Sequence, residues 1–140
     1  MAPNSITVEH VKSSVALDEF ARFPFRVYGD RDAWWPPDVQ NEIDLLAGRS
    51  PFAAILEIEP LRACRNGRTV ARACAVINRR HNEHWHEALG LLTHFEALAG
   101  EDAAVAALLD DATKWLREHE MRAVRSGFAA FLDYPYAIDN

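Results

Sequence analysis

Cysteine is scarce in this chain: only Cys64 and Cys74 occur, ten positions apart. That spacing is neither a CxxC pair nor a disulfide framework, so both read as buried, reduced thiols and the expected compartment is the cytoplasm. No run of about 18 apolar residues is present, which excludes a membrane-spanning helix. The opening Met1-Ala2-Pro3-Asn4-Ser5 holds no basic region leading into an apolar stretch, so no secretory signal is read there. Positive charge is in deficit as well. Fifteen Lys and Arg against 21 Asp and Glu leave a net charge of −6, which argues against non-specific binding to nucleic acid. Internal repeats and low-complexity linkers are missing too.

What is present suits one soluble domain spanning 1–140. Of 140 residues, 49% are apolar and 26% charged, close to the globular average and far from a disordered or collagen-like composition. A chain of this size buries roughly 68–70% of its unfolded surface, enough for a core without metal or disulfide staples.

Ile6 to Val11 alternates apolar and polar residues, the pattern of a strand. Ser13 or Ser14 then offers a hydroxyl to cap a helix whose apolar stripe is Val15, Leu17, Phe20, Ala21 and Phe23. Pro24 is expected to end or kink that helix, because it lacks the N–H the ladder needs. Trp34-Trp35-Pro36-Pro37 reads as a rigid aromatic connector, and Asp38 starts a short helix that stops near Gly48. Ile55 to Arg65 reads as a strand in which Pro60 suggests a bulge or an edge. Asn66-Gly67 is the strongest hairpin signal in the chain, and the return strand, Arg68 to Asn78, is apolar enough to be buried on both faces. Arg79 to Glu87 reads as a polar loop, Ala88 to Ala99 as a further strand, and Glu101 to Glu120 as the clearest helix. Arg122 to Arg125 closes the series as a short strand. The order β-α-α-β-β-β-α-β predicts an α/β (α+β) layered domain with a central mixed sheet flanked by helices. Its last strand–helix–strand crossover should be parallel and right-handed.

That element order resembles the GCN5-related N-acetyltransferase (GNAT) fold. Phe25-Arg26-Val27-Tyr28, Trp34-Trp35-Pro36-Pro37, Asn78-Arg79-Arg80-His81-Asn82-Glu83 and Trp115-Leu116-Arg117-Glu118 further resemble a group of bacterial acetyltransferase-like proteins. Members of that group are typically longer and carry a second acetyltransferase-like half. The resemblance therefore implies an N-terminal half whose closing strands are missing, and partnership with a second such domain or with further copies of the chain.

The resemblance also implies acyl transfer from acetyl-CoA to an amine, on a small molecule or a peptide. In this fold the pyrophosphate is held by backbone N–H groups of a (Q/R)xxGx(G/A) turn and by the helix N-terminus after it. The corresponding stretch is Ala97-Leu98-Ala99-Gly100-Glu101-Asp102-Ala103, in which the turn is degenerate: Gly100 matches and the other positions do not. Glu101 and Asp102 suit an empty helix N-terminus and oppose a diphosphate there. The alternative is thus a catalytically inactive assembly or ligand-sensing domain.

Two positions apart on a strand, His94 and Glu96 share a face, and Glu96 beside His94 could take the proton of an attacking amine. The segment His81 to Glu87 holds three His and two Glu, but without HExxH spacing it reads as a solvated loop with no metal assigned, metal binding through the histidines being the weaker alternative. Tyr134 and Tyr136 are candidates for a general acid on the thiolate, by resemblance alone. Phe128, Phe131 and Leu132 read as core or interface residues that a shortened sheet would expose.

Overall fold

Asn66 and Gly67 both take positive φ, 53° and 77°, the pair of values that a two-residue hairpin turn requires. They join β2 (Leu56–Arg65) to β3 (Arg68–Asn78), an antiparallel pair at the centre of the sheet. In this computed structural model residues 5–126 are described, except 30 and 32. Phe128, Phe131, Leu132, Tyr134 and Tyr136 lie outside the described residues.

β1 (Ile6–His10) pairs antiparallel with β2, β4 (Leu89–Ala97) pairs antiparallel with β3, and β5 (Ala123–Ser126) runs parallel to β4. The sheet order is β1-β2-β3-β4-β5. The strand–helix–strand crossover expected from the sequence is parallel, through α4 (Asp102–Glu118).

Alternation along β3 divides two cores. Ala71, Ala73, Ala75 and Ile77 face Ala104, Leu108, Ala112 and Leu116 of α4. Cys74 and Val76 face Leu17 and Phe20 of α1 (Ser14–Tyr28) and Leu45 and Leu46 of α2 (Val39–Leu46). Burial on both faces is what the apolar run of β3 predicts. Both cysteines are buried and free.

Three local expectations are corrected. Pro60 lies on an inner strand, not an edge, and the irregularity of the β2–β3 pair falls opposite Ala63 and Cys64, where Val70 of β3 is the extra residue. The Pro60 carbonyl accepts from Val11 N at 2.8 Å, so its nitrogen also points to the β1 side, past the end of β1. The ladder to β3 therefore loses no hydrogen bond. The segment after β3 is not a loop but a helix, α3 (Arg79–Trp85). The Asn78 side chain caps it by accepting from His81 N at 3.0 Å, and Asn82 ties it to β4 by bonding both N and O of Leu89. Two turns of polar residues are too short to display apolar periodicity. Finally, Pro24 does not end α1, which runs on to Tyr28. The carbonyl that a proline deprives of its partner is that of residue i−4, here Phe20. Arg72 Nη1 of β3 donates to the Phe20 carbonyl at 2.7 Å, so the helix passes through Pro24 with no buried acceptor left unsatisfied at that turn.

Candidate active site

Thr93 stands opposite Cys74 and Glu96 stands opposite Arg72, so three steps on β4 match two on β3. The extra residue is a bulge, and His94 within it has φ of 56°. A left-handed backbone at a non-glycine residue costs of order 1–3 kcal/mol and persists only where neighbours hold it. They do so here. His94 Nε2 is 2.8 Å from Glu42 Oε2 of α2, and its Nδ1 is 2.8 Å from Thr93 Oγ1. Phe20 lies beside the ring, with centroids 6.5 Å apart. The side chains of His94 and Glu42 are each 8% exposed. Burial by itself disfavours the imidazolium, but the Cys74 sulfur and the Glu42 carboxylate outweigh it, and the ring is pushed up to about 10. We assign the pair as imidazolium and carboxylate, because each charge offsets the cost of burying the other.

The bulge keeps His94 and Glu96 on one face, the side of α1 and α2. Glu96 pairs with Arg72 at 2.8 Å, and the Arg72 guanidinium also lies 4.9 Å from the Phe20 ring centroid. Burial pushes the Glu96 carboxyl up, against Arg72 and His94, which pull it down, while Glu42 adds to the rise; the net direction is upward. A carboxylate raised in this way, with 19% of its side chain still exposed, is chemically suited to accept a proton.

The two residues the sequence reading did not single out are Arg72 and Glu42. A signal for Arg72 existed: it is one charge inside a long apolar strand, and Pro24 within a helical pattern demands an outside donor for the Phe20 carbonyl. Glu42 carried no comparable signal, since one acid on a short helix is ordinary until its partner is known.

Beyond Glu96 the chain turns into α4. Leu98 N donates to Val70 O at 2.9 Å, and Ala97 and Leu98 pack on the α4 core. Gly100 has φ of 80° with open space where a Cβ would stand. The first turn of a helix leaves N–H groups without intrahelical partners. α1, α2 and α3 each have a side-chain cap, whereas Glu101 at the start of α4 makes none. Its carboxylate turns instead to Arg65 of β2, at 2.9 Å. The charge of Glu101 is thereby compensated, while Asp102 is exposed in the first turn. Ala99 is exposed with Gly100, and Ala103 with Asp102, so the outer side of this turn is open to solvent.

The histidine segment makes contacts of its own. His81 Nε2 is 2.8 Å from Glu87, and His84 packs edge-on to Trp85. Among the described residues no group of three His, Cys, Asp or Glu could hold a metal ion. No helix of the described residues is long and apolar enough to cross a membrane. In the Trp34–Pro37 connector, the Trp34 ring stands edge-on to Phe25, with centroids 5.1 Å apart, and Trp35 is 89% exposed.

No protein-family model and no curated protein matches the chain by sequence. Solved structures do match it. The fold is that of the GNAT acetyltransferases, as the element order implied. AAC(6')-Iy, in complex with a CoA bisubstrate analogue, superposes with a TM-score of 0.64 at 11% identity, over 90% of this chain and 81% of that one. A tandem GNAT protein from the clavulanic acid biosynthesis pathway gives 0.69 at 12% identity, over 96% of this chain and 40% of its own. An acetyltransferase of the GNAT family from Staphylococcus aureus Mu50 gives 0.64 at 12% identity, over 89% and 74%. At such identities the likeness concerns the fold.

Proposed function

We propose that this chain is an acyl-CoA-dependent N-acyltransferase domain, with acetyl-CoA as the donor to test first. The observation that carries the reading is the turn between β4 and α4. A glycine at φ of 80° leads into the one of the four α-helices among the described residues whose starting residue makes no side-chain cap, and the carboxylate of Glu101 is drawn off to Arg65. Backbone N–H groups between Ala97 and Ala103, apart from that of Leu98, which donates to Val70 O, would hold the pyrophosphate. The bisubstrate complex of AAC(6')-Iy, which has the same fold, supports a CoA donor.

In this reading an amine attacks the thioester carbonyl. The N–C bond forms, the C–S bond breaks, the thiolate leaves, and Glu96 takes the ammonium proton directly or through water. His94, buried and held as imidazolium by Glu42, positions and does not act as base. The acceptor is an amine of a small molecule or a peptide. A second acetyltransferase-like domain or another copy of the chain is the proposed partner, in line with the tandem protein that this chain matches over 40% of its length.

The test is thermal unfolding with acetyl-CoA. A ligand at 100 times its Kd adds about 2.7 kcal/mol, so a clear rise in Tm is expected. No stabilisation at millimolar acetyl-CoA overturns the reading. It would favour the second one, a non-catalytic assembly or ligand-sensing domain, to which the exposed charge of Asp102 in the turn points.

A further inference from the structure

Starting from Thr93, a regular strand would place residue 94 on the α4 face, residue 95 on the α1–α2 face and Glu96 on the α4 face again, because side chains alternate. The observed register is different. Glu96 stands opposite Arg72, on the α1–α2 face, since the bulge inserts one residue between it and Thr93. A one-residue slip moves every later side chain to the other face. The bulge therefore decides where Glu96 points and how Ala97 to Gly100 enter the turn.

His94 is the residue at which the strand departs from regular geometry, with φ of 56°. Glu42 reaches it from α2 at 2.8 Å, and Thr93 holds the other ring nitrogen. The charged and titratable groups around the ring are Glu42 on α2, Cys74 on β3 and Glu96 on β4, with Arg72 behind Glu96, while α1 contributes Phe20.

We propose that Glu42 and His94 are positioning residues of the acyl-transfer site: their buried ion pair holds the left-handed backbone of the β4 bulge, and the bulge puts Glu96 and the turn after it in place. The proposal rests on the acyl-CoA reading, and it deepens that reading by naming what sets the register of the site.

Two roles for His94 predict opposite orders of effect. If its backbone conformation matters, the replacement that tolerates positive φ is best and a β-branched one is worst. If its ring merely fills space, the larger replacement is best. The experiment first compares the wild type with Glu42→Gln alone, which removes the ion pair while keeping His94 and is expected to weaken acetyl-CoA binding several-fold; an unchanged affinity overturns the role of the pair. It then places Gly, Ala and Val at position 94 in the Glu42→Gln background, which removes the buried unpaired charge from all three. Acetyl-CoA affinity is measured by calorimetry, and folding is checked by circular dichroism. The expected order of affinity is Gly, then Ala, then Val, with Val at least tenfold weaker than Gly. The Gly–Ala comparison stands by itself should the Val protein not fold. Equal affinities, or the reverse order, overturn the proposal while leaving the acyl-CoA reading intact. Absence of acetyl-CoA binding by the wild-type chain overturns both.

Discussion

At the scale of single residues, the site is a chain of charges under α1 and α2, and each link has a measurable consequence. Arg72 is 3% exposed and serves both Glu96 and the Phe20 carbonyl beneath Pro24. Arg72→Met leaves a largely buried carboxylate and a buried carbonyl without their partner, so chemical unfolding should show a loss of about 2–4 kcal/mol. A loss below about 1 kcal/mol would contradict this account. His94 bears on pH dependence. Its folded value of about 10 lies above the ordinary 6.5, so its contribution to stability is complete below about pH 6.5 and is lost as pH rises through about 10. Urea titrations should show unfolding free energy falling across that interval, by at most about 1.4 kcal/mol per pH unit for one proton. The Glu42→Gln/His94→Gly double variant should lack this fall. Asp102 presents a trade-off. Asp102→Asn should tighten acetyl-CoA several-fold by removing a negative charge beside the turn. It should also cost the free protein about 0.3–1 kcal/mol of helix-dipole stabilisation. Calorimetry and thermal melts read the two effects separately.

At the scale of elements, the close seat of α4 on the sheet depends on a small residue. A Cβ added at Gly90 of β4 would meet Leu116 Cδ2 at 2.7 Å and Cδ1 at 2.9 Å. Gly90→Ala should therefore force Leu116 aside and cost about 1–3 kcal/mol in equilibrium unfolding, as overpacking does. The same elements show why some of the fold was legible in advance. The hairpin was readable because Asn66-Gly67 has local chemistry, and α4 because Leu108, Ala112 and Leu116 repeat with the helical period. α3 was not readable as a helix, because capping by Asn78 and docking by Asn82 replace an apolar stripe. The passage of α1 through Pro24 was equally hidden, since the donor that satisfies Phe20 comes from residue 72, 52 positions away.

At the scale of the whole molecule, the described sheet ends at β5, whose four residues are all exposed. An exposed strand at a sheet edge is a template for pairing with another chain. Light scattering is expected to give a mass above that of one chain, and a monomer at tens of micromolar would contradict partnership between copies of the chain. If the chain binds an anionic donor as proposed, the net charge of −6 places the burden on local geometry, because the overall field repels it. Raising salt should therefore not weaken acetyl-CoA binding in the steep manner of a nucleic-acid-binding protein.

By itself, the sequence determined the order of the strands, the hairpin, the long crossover helix and the layered α/β class, because these follow from periodicity and turn chemistry within short windows. It also placed His94 and Glu96 on a common face, but by a regular alternation that β4 does not have. Only the tertiary structure decided that a bulge restores that shared face, that Glu42 and Arg72 complete the site, and that Arg65 draws Glu101 away from the helix start. The physical reason is separation along the chain: Glu42 meets His94 across α2 and β4, and Arg65 meets Glu101 across β2 and α4. Charge pairs of that kind leave no trace in local pattern.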